Sequence, residues 1–164
     1  MTSPAAVDRA MMDVALTEAR ASLAAGGVPV GAALASGDRI LASGHNERVQ
    51  LGDPIAHGEM SCLRNAGRQA SYQGMTLYTT LSPCQMCSGA ILLFQIPRVV
   101  VGEATTFAGD LAFLSSHGVD VVLDEPDGQQ VEPDERGHKP ADQGGNAHGS
   151  LSLPRPRSWP APPG

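Results

Sequence analysis

His57-Gly58-Glu59 and Pro83-Cys84-Gln85-Met86-Cys87 are the two segments of this chain whose residue types and spacing could do chemistry. Cys84 and Cys87, with two residues between them, can turn both thiolates toward one ion from the first turn of a helix, and His57 can add an imidazole from a second helix. Two sulfurs and one nitrogen suit Zn2+, and three protein ligands leave a tetrahedral position open for water, which is the mark of a catalytic site. An ion held this way brings the pKa of a bound water toward neutrality. Glu59 lies too close to His57 along a helix for both to grip the same ion. It is well placed, however, to take a proton from that water and pass it to a substrate nitrogen.

A Cys-x-x-Cys pair alone also fits a redox couple, half of a closed structural zinc site, or two small buried hydrophobes. A redox couple leaves His57 and Glu59 without a task. A closed site needs a fourth protein ligand; Cys62, the remaining cysteine, stands five residues beyond His57 and off its face, and His45 before Asn46 reads as part of a loop. His-x-Glu followed by Pro-Cys-x-x-Cys is the pattern of zinc deaminases, in which water replaces an exocyclic amine on a heterocycle.

The chain has 164 residues, enough for one sizeable core and too few for two ordinary domains. Three cysteines make no even disulfide framework, so a reducing, cytoplasmic setting is expected. The amino terminus lacks a basic segment leading into an apolar run, and no apolar run reaches the roughly 20 residues that span a bilayer. With 11 basic against 17 acidic residues the net charge is −6, a poor match to a phosphate backbone. Arg48, Arg64, Arg68 and Arg98 are spread singly, and the one lysine is Lys139. A small-molecule substrate is favoured over nucleic acid, and no membrane partner is expected.

The elements that must position these residues can be read from periodicity and breakers. Ser3 caps a helix with Pro4 at its first position; Val7, Met11, Val14, Ala15 and Ala19 recur at helical spacing until Gly26-Gly27. Val28 to Ala35 and Arg39 to Ser43, joined by Ser36-Gly37-Asp38, form an antiparallel hairpin. A helix from Ile55 to Asn65 carries His57 and Glu59. Met75 to Thr80 is a strand, and Leu81-Ser82-Pro83 turns it into a helix with Ser82 as cap and Pro83 inside its start. That helix ends at Ile96-Pro97 and is followed by a strand at Arg98 to Gly102, a helix at Gly109 to Ser116 and a strand at Val119 to Leu123; right-handed crossovers make the last two strands parallel. The expected fold is α/β, a three-layer α/β/α sandwich around a mixed five-stranded sheet, over residues 1–124. Residues 125–164 hold eight prolines and six glycines with little aliphatic content, and read as a mostly disordered tail in which Trp159 could form a lid or docking residue.

Gly44-His45-Asn46, His57-Gly58-Glu59, the run from Thr76 through Cys84 to Ile91, and Ile96-Pro97-Arg98-Val99-Val100-Val101-Gly102-Glu103 resemble the fungal-type cytosine deaminases of the cytidine deaminase superfamily. The same superfamily holds guanine and tRNA adenosine deaminases. The resemblance runs from about Val7 to Asp124. It implies one Zn2+ per subunit on His57, Cys84 and Cys87, Glu59 as proton shuttle, and a homodimer built through the helices beside the site. It also implies that Asn46 hydrogen-bonds the base, that the backbone at Leu81 and Ser82 orients the ring, and that Phe107 packs beside it. Asn46 suits that task on chemical grounds, offering a donor and an acceptor to a base edge, and it also suits a loop cap. Fungal-type enzymes close over the base with a C-terminal tryptophan and acid; after Asp124 this chain turns to Gly and Pro, neither residue maps onto it, and Trp159 has no acid following it. The function expected is deamination of a free base, cytosine first. The alternatives are guanine, a pterin or another amino-heterocycle or nucleoside, and, in another class, a non-catalytic zinc-stabilised interaction protein.

Overall fold

In the computed structural model residues 3–124 are described. The expected tail at 125–164, with Trp159, lies outside them. Helix α1 spans Pro4–Ala24; Ser3 caps it, its Oγ accepting from the Ala6 amide at 3.3 Å. The chain continues through strands β1 (Gly31–Ser36) and β2 (Arg39–His45), a short helix α2 (Arg48–Leu51), helix α3 (Gly58–Ala66), strand β3 (Met75–Thr79), helix α4 (Gln85–Leu93), strand β4 (Arg98–Val101), helix α5 (Leu111–Ser116) and strand β5 (Asp120–Leu123). The strands order as β2-β1-β3-β4-β5 in one sheet, with β1 antiparallel to both β2 and β3, and β3, β4 and β5 parallel. The mixed sheet, the hairpin and the parallel last pair are as expected.

Period-two alternation sends strand side chains to opposite faces. Ala33, Ala35, Tyr78 and Val100 meet Met11, Met12 and Ala15 of α1 on one face. Ala32, Leu34, Leu77, Val99 and Val101 meet Cys62 and Leu63 of α3, Ile91 of α4 and Leu114 of α5 on the other. Helices therefore flank both faces. Gly31 lets α1 lie close on β1, since a Cβ there would sit 2.1 Å from the Ala15 carbonyl oxygen. Across the sheet, Arg98 donates to both carboxylate oxygens of Asp8 at 2.8 and 2.9 Å, and the Tyr78 hydroxyl donates to Asp8 at 2.8 Å, pinning α1 to β3 and β4. Burial alone would raise the Asp8 carboxyl, but these hydrogen bonds outweigh it and hold its pKa below the usual value.

Several element starts differ from expectation: α5 begins at Leu111 rather than Gly109, β1 at Gly31 rather than Val28, and two further helices differ as well. α3 begins at Gly58 rather than Ile55, because Asp53-Pro54 forms a turn: Asp53 Oδ1 accepts from the Ile55 amide at 3.0 Å, and the His57 amide donates to Ile55 O at 2.8 Å. α4 begins at Gln85 with Cys84, not Ser82, as its N-cap. Ser82 is engaged elsewhere, its amide donating to Glu103 O and its hydroxyl to Ala108 O, both at 2.9 Å.

Candidate active site

Both halves of the cluster sit at helix N-termini beside the sheet. His57 is the N-cap of α3, with an extended backbone (φ −70°, ψ 160°), and Cys84 is the N-cap of α4 (φ −75°, ψ 172°). Cys87 falls three positions after its cap, the spacing at which N-cap and N3 side chains fold toward one another in a capping box. The same local geometry here brings two sulfurs together, 3.7 Å apart. His57 Nδ1 lies 3.5 Å from Cys84 Sγ and 3.6 Å from Cys87 Sγ.

These three separations test whether zinc fits. With metal–sulfur bonds near 2.3 Å and metal–nitrogen bonds near 2.05 Å, a tetrahedron has a sulfur–sulfur edge of about 3.8 Å and sulfur–nitrogen edges of about 3.6 Å. The observed edges match, so His57, Cys84 and Cys87 can hold one Zn2+ with a fourth position to spare. Burial, aided by the Arg48 charge, pushes the His57 pKa down, which keeps the imidazole neutral as a ligand must be.

Glu59 is buried next to this triangle, 3% exposed. Its Oε2 accepts from Cys87 Sγ at 3.5 Å and its Oε1 accepts from the Thr79 hydroxyl at 3.3 Å. Burial pushes the Glu59 carboxyl up, over the opposing hydrogen bonds from its backbone, Cys87 and Thr79. The Thr79 hydroxyl also lies 3.0 Å from Leu81 O, so it ties the acid to the cavity wall.

A cavity of about 170 Å³ opens over these groups, lined by Val28, Val30, Asn46, Arg48, His57, Glu59, Leu81, Ser82, Cys84 and Phe107. All the expected site residues are thus brought to one place, with Cys87 fully buried behind the wall. Asn46, 5% exposed, caps its loop, its Oδ1 accepting from the Arg48 amide at 3.2 Å, and it also lines the cavity. Phe107 is 45% exposed, at the rim. Val28, Val30, Arg48 and Thr79 were missed. The two valines carry the signal of strand core, Arg48 that of an isolated surface cation, and Thr79 that of an ordinary strand residue.

A cysteine pair and a histidine closing a zinc-sized triangle, with a buried acid against it, define a hydrolytic metal site on an α/β sheet. Residues 5–103 match the cytidine and deoxycytidylate deaminase zinc-binding region, and the chain belongs to that family of zinc-dependent hydrolytic deaminases. A cytosine deaminase of Candida albicans is 49% identical over 118 residues, covering 70% of this chain and 79% of that protein. A tRNA-specific adenosine deaminase of Aquifex aeolicus is 36% identical over 118 residues, covering 70% and 75%. The solved structure of a guanine deaminase from Bacillus subtilis aligns with a TM-score of 0.56 at 28% identity, over 65% of this chain and 74% of that one. The substrate is accordingly an amino-heterocycle of the nucleobase or nucleoside kind. A purely structural zinc protein, the alternative of another class, is set aside by this membership together with the retained acid. Among the described residues no helix is long and apolar enough to cross a membrane.

Proposed function

We propose that the chain converts free cytosine to uracil and ammonia. The observation that carries the reading is the size of the cavity over Glu59. At about 170 Å³ it falls below the roughly 300–1,000 Å³ of clefts for drug-sized ligands, which favours a free base over a nucleoside or larger ligand. Asn46 offers an amide to a ring edge that carries a carbonyl beside an N–H, and the Candida albicans relative supports the same base.

In this reading His57, Cys84 and Cys87 hold Zn2+, which when bound supplies Lewis acidity that makes water a nucleophile near neutral pH. Glu59 takes one proton from water at its carboxylate and delivers it to the ring nitrogen beside the amine-bearing carbon as the water oxygen bonds to that carbon; it then takes the remaining proton from that oxygen and gives it to the amine, whose C–N bond breaks to release ammonia. Thr79 holds Oε1 of Glu59 by its hydroxyl. Asn46 fixes the far edge of the ring, the backbone at Leu81 and Ser82 orients it, and the Phe107 ring excludes water from one side.

Ammonia release from cytosine, cytidine, guanine, adenine, adenosine and a pterin tests this. Cytosine is expected to have the highest kcat/KM, and Asn46→Ala to lower it by about 10–100-fold through lost hydrogen bonds to the ring. A purine preferred by the wild type would sink the cytosine assignment. The second reading, guanine, rests on the likeness to the Bacillus subtilis enzyme and on the exposed position of Phe107 at the rim.

A free base rather than a base within nucleic acid is favoured by the net charge of −6 and the single spacing of the arginines. A cytoplasmic site of action belongs to the same reading, since thiolate ligands need reducing surroundings; cell fractionation checks it. A homodimer through α4 is supported by Met86, Gly89 and Leu93, which share its outer face; Leu93 is 75% exposed. A Leu93→Glu variant should sediment as a monomer where the wild type sediments as a dimer, and a monomeric wild type would end that proposal.

A further inference from the structure

Three residues lining the cavity come from two irregular segments: Val28 and Val30 from the one between α1 and β1, and Asn46 from the one between β2 and α2. Irregular backbone keeps its place through whatever satisfies its polar groups. The Asn46 amide donates to Val30 O at 2.8 Å, joining the two segments by one backbone bond, and a single side chain joins them a second time. Ser22, fully buried near the end of α1, has its Oγ 2.7 Å from Val28 O and 2.6 Å from Asn46 O. A hydroxyl has one proton, so these two carbonyls share it and are drawn to one point. Gln50 of α2 completes the node, its Nε2 lying 3.2 Å from Ser22 Oγ and 3.4 Å from Ser22 O. Gln50 Oε1 stays buried with no partner among the described residues, a cost that helix packing does not explain. Gly27 makes room for it: a Cβ there would lie 2.2 Å from Gln50 Nε2.

Ser22 shares its helix face with Ala15 and Ala19, both buried. Alanine would serve helix propensity and packing better at that position, since a serine within a helix competes with the backbone for hydrogen bonds. The hydroxyl therefore answers to the loops and not to the helix. We propose that Ser22 is a positioning residue for substrate binding: it holds Val28 and Asn46 in register with the metal-side wall, without touching the substrate itself. The proposal rests on the cavity being the substrate site, not on which base enters it.

The test compares zinc-loaded full-length wild type, Ser22→Ala, Gln50→Ala and Tyr78→Phe on cytosine, guanine and adenosine, with Tm and zinc content measured for each. Ser22→Ala should raise KM about tenfold and leave kcat within about twofold, the pattern of lost uniform binding, with zinc retained. Gln50→Ala should shift KM in the same direction by less. Tyr78→Phe removes the bond to Asp8 on the α1 face, 2.8 Å long in the wild type; it should lower Tm and leave KM unmoved. An unchanged KM in Ser22→Ala, or an equal KM rise in Tyr78→Phe, would overturn the positioning role. Wild-type turnover of guanine or adenosine in place of cytosine would end the cytosine reading alone, because the Ser22 comparison then stands on that substrate. A wild type inert on all three overturns both.

Discussion

Glu59→Gln is expected to lower kcat by about 10²–10⁴-fold, the range set by loss of general acid–base catalysis, while the protein keeps one zinc per chain. Glutamine has nearly the same shape and can still accept from Thr79, but it cannot carry a proton between water and substrate. The residue lies outside the triangle of His57, Cys84 and Cys87, so the metal should stay. Stability should not suffer either. Glu59 is buried and its charged form is disfavoured there; a neutral amide removes that desolvation cost, so Tm should match or exceed the wild-type value. Ammonia release, metal analysis and thermal unfolding on one preparation check all three. Turnover within about tenfold of wild type would remove Glu59 from its role.

Cys84→Ala should abolish turnover and metal binding together. Two remaining ligands leave zinc with half of its tetrahedral shell, and a site formed only on folding links metal affinity to stability. The variant should show Tm near that of chelator-stripped wild type, because both lack the stabilisation that a ligand bound only to the folded state provides. Acid should mimic the mutation. Burial, with the charges of Glu59 and Cys84, pushes the Cys87 thiol well up in the metal-free protein, so protons compete strongly for its sulfur. Binding displaces them, hence affinity falls as pH falls. Zinc release to a chromophoric chelator should rise between about pH 8 and pH 5. Full activity in metal-free Cys84→Ala, or zinc retention indifferent to pH, would refute the assignment of the ligands.

Much of the site could be read in the chain because its determinants are local. Cys84 and Cys87 stand at N-cap and N3 of one helix, where three-residue spacing alone brings side chains together. Glu59 stands two residues from His57, where the same helix turn carries it beside the ion and not onto it. The order of the elements was legible for a similar reason: Gly26, Gly37, Pro54 and Pro97 break the chain where local φ and hydrogen-bond restrictions demand it. The exact helix starts were less legible, because Asp53 and Ser82 can satisfy either a helix or a neighbouring loop, and tertiary partners such as Ala108 O decide which.

The sequence by itself determined the chemistry, a zinc triad with an attendant acid, since residue type and short-range spacing set donor atoms and helix phase. Only the tertiary structure decided what surrounds that chemistry. Thr79 reaches Glu59 from a strand 20 residues on, Ser22 reaches Asn46 across 24 residues, and Val28, Val30 and Arg48 enter the cavity wall only once α1 and β2 are packed. Such contacts depend on how the sheet pairs and how closely α1 lies on it. No periodicity in a linear chain records that distance.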